Sequence, residues 1–178
     1  MLGNPFEVEG RWYKAAFHVH TTDSDGAISR AETLRRYAER GYDLVCLTDH
    51  WVYNPESEIP AGLVVIPGVE VTVPVRSGRR PHIVALGVER AGRYPDEQAG
   101  ELFDLARRGE AALVMGHPYW SHLNLADMMD VDGVIGLEVY NSVCDLGRGL
   151  GYSEPHWDQS LDAGRPMWAV AVDDLWHA

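Results

Sequence analysis

The placement of polar residues relative to apolar runs constrains this chain most. Seven short runs are nearly continuous in Val, Leu, Ile and Ala: residues 14–19, 44–47, 63–66 continuing to 75, 82–88, 111–115, 134–139 and 167–172. Such runs suit strands covered on both faces, as in a parallel sheet or a barrel. In six of the seven, a histidine or carboxylate stands towards the C-terminal end or just past it: His18 and His20, Asp49 and His50, Glu70, His117, Glu138, Asp173 and Asp174. An open sheet gathers its site at one crevice. A barrel lets every strand end point into one shared mouth. The pattern therefore predicts an α/β barrel, irregular because seven candidate strands fall short of eight. His82 opens its strand instead of closing it, and so departs from the rule.

Polar segments with helical spacing separate the runs. Ser29 and Glu32 form the ends of an S-R-A-E capping box. Ala31, Leu34 and Ala38 share one helical face, and Gly41 follows as the terminating residue. A second helix is expected over residues 96–108, with Leu102, Leu105 and Ala106 inward and Gly109 at its end. Shorter helices are expected around 123–129 and 156–163. The Gly-rich stretch 145–151 reads as a loop.

The chain has 178 residues with 46% hydrophobic and 24% charged, which fits one folded domain over residues 1–178 and excludes global disorder. A net charge of -12 argues against general nucleic-acid binding, because a polyanion would be repelled over most of the surface. Cys46 sits in an apolar run and Cys144 in the expected loop. Their spacing suggests neither a disulfide framework nor a thiolate metal site. The sequence shows no secretory leader pattern and no apolar run of membrane-spanning length, so the expected location is the cytoplasm.

His18-Val19-His20 is the sharpest local feature. Strand alternation puts residues i and i+2 on one face, so both imidazoles can reach one cation. The polar turn that follows can bring Asp25 back over the same point. Asp49 and His50 leave a buried strand together. One can serve as a ligand and the other fix it, or Asp49 can cap a helix. Glu70 lies inside an apolar strand, where a carboxylate must be paired, protonated or metal-bound. Its two oxygens can bridge two cations, and a buried pair with an arginine is the structural alternative. His117 exits a strand, and Pro118 after it holds it extended. Adjacent buried carboxylates Asp173 and Asp174 repel unless a cation or proton intervenes. His177 closes the set. Each motif alone also describes an ordinary buried or surface residue. Six of the 8 histidines lie beside strand ends, however, and the candidates outnumber the ligands of one tetrahedral ion. Two or three divalent ions of zinc, manganese or iron are therefore expected.

In order along the chain stand H-V-H-T-T-D-S-D-G at 18–26, L-T-D-H at 47–50, P-G-V-E at 67–70, G-H-P at 116–118, E-V-Y-N at 138–141 and V-D-D at 172–174. This succession resembles the PHP (polymerase and histidinol phosphatase) family of metal-dependent phosphoesterases, from about Phe17 to His177. The resemblance implies a distorted seven-stranded β/α barrel with a trinuclear metal site. It implies a first metal on His18, His20, Glu70 and a C-terminal aspartate. Glu70 would bridge to a second held by His82 and His117, and Asp25, His50 and His177 would hold a third. The family closes on Asp-x-His, whereas here Asp173-Asp174 precede His177 by an extra residue. Either Asp174 is the ligand with a small bulge, or Asp173 takes that role. A barrel covers its last strand with a helix, which the sequence to Ala178 does not supply, so the expected barrel lacks it.

The expected activity is hydrolysis of a phosphate monoester or small phosphodiester by metal-activated water, with His18, His20, Glu70, His117 and Asp174 at its centre. A small phosphorylated compound, such as a nucleotide, is the expected partner. Phosphate also calls for an arginine, and Arg148 is favoured over Arg76, Arg79 and Arg80. Trp51, Tyr53, Tyr119 and Trp120 can line the mouth or pack a lid over it. The rivals are C–N hydrolysis in an amidohydrolase-like barrel and a non-catalytic metal-stabilised binding domain. The former commonly uses a bridging lysine carboxylate, and Lys14 is the only lysine.

Overall fold

The computed structural model describes residues 4, 6–53, 55, 58–88, 92, 93 and 99–175. Its strands are β1 (Ala15–Ala16), β2 (Leu44–Leu47), β3 (Val52–Tyr53), β4 (Val64–Thr72), β5 (His82–Leu86), β6 (Gly92–Arg93), β7 (Ala112–Gly116), β8 (Val134–Asn141) and β9 (Trp168–Val172). Seven of them form one sheet in the order β1-β2-β4-β5-β7-β8-β9. All seven expected strands are present. β3 and β6 form a separate antiparallel ribbon that the sequence reading did not include.

The sheet curls until its ends meet. A parallel bridge joins Val19 to Leu175, and the His20 N–H donates to the Leu175 carbonyl at 2.9 Å. The result is a nearly closed seven-stranded mixed barrel with helices around it. Most neighbours pair in parallel, but β5 runs antiparallel to both β4 and β7. That reversal explains His82. The start of its strand was read correctly, although the strand ends at Leu86 and not at residue 88, and in a reversed strand the first residue lies at the rim where the others end. His82 pairs with Thr72 on one side and Gly116 on the other.

The helices are α1 (Arg30–Glu39), α2 (Ala99–Arg107), α3 (Leu125–Met129), α4 (Ser142–Arg148) and α5 (Glu154–Asp162). In α1 the Ser29 hydroxyl accepts the Glu32 N–H at 3.4 Å. The other half of the expected capping box is absent, because the Glu32 carboxylate binds Arg35 and Arg36 instead. Gly41 ends the helix at φ 70°, its N–H donating to the Ala38 carbonyl. The buried face is Thr33, Leu34 and Tyr37; Ala38 is half-buried and Ala31 is exposed, contrary to the expected face. Leu34 and Tyr37 close a core with Ala16, Val19, Val45 and Leu47, so α1 seals the barrel wall that carries the first histidines. A larger core gathers Val69, Val71, Ile83, Leu113, Met115 and Leu137 with Leu102 of α2 and Met128 of α3. Each fully buried side chain of this size contributes about 1.5–3 kcal/mol relative to exposure.

Two expectations are corrected. Residues 145–151 are not all loop: Ser142–Arg148 form α4, begun by Asn141, whose side chain accepts the Cys144 N–H, and ended by Gly149 at φ 67°. Cys144 therefore lies on a helix. Of the helix expected at 96–108, Ala99–Arg107 is present and residues 96–98 fall outside the described set. Among the described residues no helix is long and apolar enough to cross a membrane.

Candidate metal centre

The barrel gathers at its rim the side chains that the sequence scattered along it. Glu70 is the hub, fully buried in β4. Its Oε2 lies 3.3 Å from His18 Nε2, 3.2 Å from His20 Nε2 and 3.1 Å from His50 Nδ1. Its Oε1 lies 2.8 Å from His82 Nδ1 and 3.5 Å from His117 Nε2. The two oxygens thus face two different histidine sets. All of these contacts are to imidazole, which removes the arginine alternative for Glu70.

Asp174 enters from the barrel's closing edge. Its Oδ1 is 3.3 Å from both His18 Nε2 and His20 Nε2, which are themselves 3.0 Å apart. Asp174 stands at φ 52°, a left-handed conformation uncommon outside glycine that Asp tolerates better than most. Asp173 turns elsewhere and accepts the Tyr37 hydroxyl at 2.5 Å, so the two carboxylates do not face one another. Burial raises the Asp173 pKa, whereas His18 and its neighbours over-ride burial and hold Asp174 below the usual range. His177 lies outside the described residues.

Asp25 reaches the rim as expected, 3.4 Å from His20 Nδ1 and 3.7 Å from His50 Nε2. Its turn is held by Asp49, which neither caps a helix nor joins the cluster. The Asp49 carboxylate accepts the Thr21 N–H at 2.8 Å, the Thr21 hydroxyl at 2.7 Å and the Ser24 hydroxyl at 2.6 Å. The turn is tight enough to require glycine at Gly26, where an added Cβ would lie 2.6 Å from the His20 and Thr21 backbone.

Behind the cluster stands a layer whose part the sequence did not assign. His18 Nδ1 is 2.6 Å from Glu138 Oε1, and His117 Nδ1 is 3.1 Å from the Ser121 hydroxyl. Such partners hold the ring proton on the outer nitrogen and turn the other lone pair inward. Glu138 was noted as a polar strand end and in the E-V-Y-N stretch, with no role assigned to it. Its signal was available, since a carboxylate in an apolar strand needs a partner as much as Glu70 does.

Among the described residues four groups of three are spaced to hold a metal ion: His18, His20 and Glu70; His18, His117 and Asp174; His20, Asp25 and His50; and His50, Glu70 and His82. The donor set fits. For ligand bonds of about 2.1 Å, tetrahedral ligand atoms sit about 3.4 Å apart. His18 Nε2 and His20 Nε2 lie 3.0 Å apart, and each lies 3.2 or 3.3 Å from both Glu70 Oε2 and Asp174 Oδ1, so either carboxylate oxygen forms a set of about this spacing with the two imidazoles. Burial disfavours the charged forms of these groups, yet the carboxylates raise His18 well above the ordinary imidazole value and His20 to about 9, and the imidazoles hold Glu70 well below the carboxylate range. A dication competes with those protons for the same lone pairs.

The cluster floors a cavity of about 740 Å³. It is lined by His20, Asp25, His50, His82 and His117 and, from α4, by Val143, Leu146 and Arg148. Trp120 lines the mouth, its ring edge-on to His82 and His117, while Trp51 and Tyr53 pack against the larger core. Arg76 and Arg79 are paired with Asp130 and Asp127 and do not line the cavity.

No protein-family model matches the chain. Two curated proteins are similar over part of it. A phosphoribosyl 1,2-cyclic phosphate 1,2-diphosphodiesterase of Eggerthella lenta is 35% identical over 78 residues, 40% of this chain and 30% of that protein. A 3',5'-nucleoside bisphosphate phosphatase of Chromobacterium violaceum is 39% identical over 80 residues, 42% of this chain and 27% of that protein. The matched part thus spans less than a third of either relative. Among solved structures, a two-domain protein of Bacteroides vulgatus containing a predicted PHP-like metal-dependent phosphoesterase superposes with a TM-score of 0.64 at 19% identity, over 93% of this chain and 52% of that one. An amidohydrolase of Chromobacterium violaceum with bound sulfate and no metal superposes with a TM-score of 0.62 at 17% identity, over 92% and 88%. With its reversed fifth strand, its closing bridge at Leu175 and its rim of histidines and carboxylates, the chain has the fold of the PHP-like metal-dependent phosphoesterases.

Proposed function

We propose that this chain is a metal-dependent phosphoesterase that hydrolyses a phosphate monoester or small phosphodiester. The carrying observation is the convergence of His18, His20 and Asp174 on one Glu70 oxygen and its histidines, extended by the second Glu70 oxygen towards His82 and His117. In this reading His18, His20, Glu70 and Asp174 would hold one divalent ion, Glu70 with His82 and His117 would hold a second, and Asp25 with His50 would serve a third, with His177 as the expected further ligand. Zinc, manganese or iron suits such mixed imidazole and carboxylate sites. Bound ions supply Lewis acidity and bring the pKa of a water towards neutrality. The protein's own part is to hold the ligands in place, exclude bulk water from the cavity floor and orient the ester against α4.

The two curated relatives are named for a cyclic phosphate and a nucleoside bisphosphate, which supports a small phosphorylated substrate such as a nucleotide. The C–N hydrolysis alternative lacks its bridging lysine, because Lys14 donates to the Arg40 carbonyl and stacks over Tyr42. Turnover should be measured on phosphomonoesters, cyclic phosphodiesters and cyclic amides, with added manganese or zinc and after chelation. Metal-dependent turnover of phosphate esters is expected. Turnover of cyclic amides alone, or full activity after verified metal removal, would exclude the proposal.

Arg148 is exposed in the last turn of α4 and lines the cavity, so it can reach an anionic group on the substrate. Arg148→Ala should raise KM roughly tenfold with little change in kcat, corresponding to about 1.5 kcal/mol for one charge-assisted contact. An unchanged KM removes Arg148 from the binding surface.

A further inference from the structure

We infer that Asn141 is a positioning residue that aims Asp174 and Glu138 at the metal cluster and ties that cluster to the helix lining the cavity. The inference rests on the metal-centre reading above and goes beyond its ligand set.

Strand geometry makes the placement of Asn141 unusual. Glu138 and Asn141 are three residues apart in β8, and in a regular strand residues i and i+3 point to opposite faces. The pairing of β8 with β9 slips between them: Glu138 pairs with Val170, but Tyr140 pairs with Ala171 and Asn141 with Val172. One extra residue on β8 resets the alternation, as a β-bulge does. Both side chains consequently point to the buried centre, Glu138 at 1% and Asn141 at 0% exposure.

The chemistry at that point calls for an amide. Carboxylate oxygens accept, so a single side chain that serves both must bring at least two protons. The Asn141 Nδ2 donates to Glu138 Oε2 at 2.9 Å and to Asp174 Oδ2 at 3.0 Å. Its Oδ1 accepts the Cys144 N–H at 3.0 Å, the first-turn bond that begins α4. These three contacts also fix which way the amide faces, since a flipped amide would present oxygen to two carboxylates and NH2 to an N–H.

The consequences run in two directions. With its Oδ2 held by Asn141, Asp174 turns Oδ1 towards His18 and His20, although its backbone stands in a sparsely populated conformation. Glu138, held by Asn141 and by the His117 N–H at 2.8 Å, keeps its other oxygen on His18 Nδ1. In the opposite direction the same side chain starts the helix that carries Val143, Leu146 and Arg148 along the cavity. A shift of Asn141 therefore moves the ligand carboxylate and the substrate wall together.

Asn141→Ser separates these duties. Serine keeps an oxygen that can cap α4, but it has one proton and cannot reach both carboxylates. Manganese binding should be titrated to wild type and variant, and melting temperature measured in chelator and in saturating manganese. The expected result is manganese affinity about 10- to 100-fold weaker in the variant, the range for loss of an outer partner of a metal ligand, with melting in chelator little changed. Asn141→Thr gives the same cap with more bulk if serine leaves the site underfilled. Wild-type affinity in a folded variant overturns the inference. So does collapse of both variants in chelator, which would assign Asn141 to the fold alone. A wild type that binds no manganese or zinc defeats the metal-centre reading itself, and is distinguishable from either outcome.

Discussion

Glu70→Gln is expected to empty the metal centre. The substitution keeps the shape of the side chain, but an amide offers one oxygen where the carboxylate offers two. In the protein one Glu70 oxygen faces His18, His20 and His50 and the other faces His82 and His117. Whichever way the glutamine turns, an NH2 group opposes imidazole lone pairs on one side. Bound metal per chain should fall, and turnover should drop by more than the roughly 10- to 100-fold that follows loss of an outer partner. Stability in chelator also declines, because the carboxylate is the counter-charge of His18 and His20, whose pKa values it helps to raise. The deciding quantity is therefore the rise in melting temperature on adding metal, measured with metal stoichiometry for both proteins. An unchanged stoichiometry and an unchanged metal-dependent rise would take Glu70 out of the site and most of the multinuclear mechanism with it.

Metal loading itself should raise the melting temperature steeply. Binding to the folded state alone adds about 4 kcal/mol when free metal stands at 1,000 times Kd. For a chain of this length each kcal/mol shifts melting by about 2–4 °C, so a rise of about 8–16 °C is expected. The rise should also depend on pH. His20 is raised to about 9 by Asp174 and Glu70 against the effect of burial. A histidine raised in the folded state stabilises the metal-free protein fully below the unfolded value near 6.5, and that contribution is lost as pH climbs through about 9. Metal must displace the same proton. This single competition makes the metal-dependent increment larger at pH 8 than at pH 6. Scanning calorimetry at the two pH values, with chelator and with manganese, checks this. A melting temperature indifferent to metal at both would mean that the cluster is held by protons and hydrogen bonds alone.

Much of this centre was legible in the sequence because burial is a harsh filter on polar groups. A histidine or carboxylate beside an apolar run must find a partner, and a barrel supplies one place where such partners meet. That reasoning reached His18, His20, Asp25, His50, Glu70, His117 and Asp174, and the structure gathers all of them at one rim. It also reached the strands, since near-continuous apolar runs report coverage on both faces whatever their direction.

Direction and parity were decided elsewhere. Nothing within residues 82–86 tells whether the strand runs with its neighbours or against them; that follows from pairing with β4 and β7, and it alone brings His82 to the rim. Which of Asp173 and Asp174 faces the histidines turned on a left-handed residue at the barrel's closing edge and on Tyr37, 136 positions away. Glu138 and Asn141 look like opposite faces of one strand until β9 pairs with a register slip between them. Local sequence set which side chains had to be satisfied, because burial penalises each one singly. Only the tertiary structure set their partners, because strand direction and register are properties of pairs of segments distant along the chain.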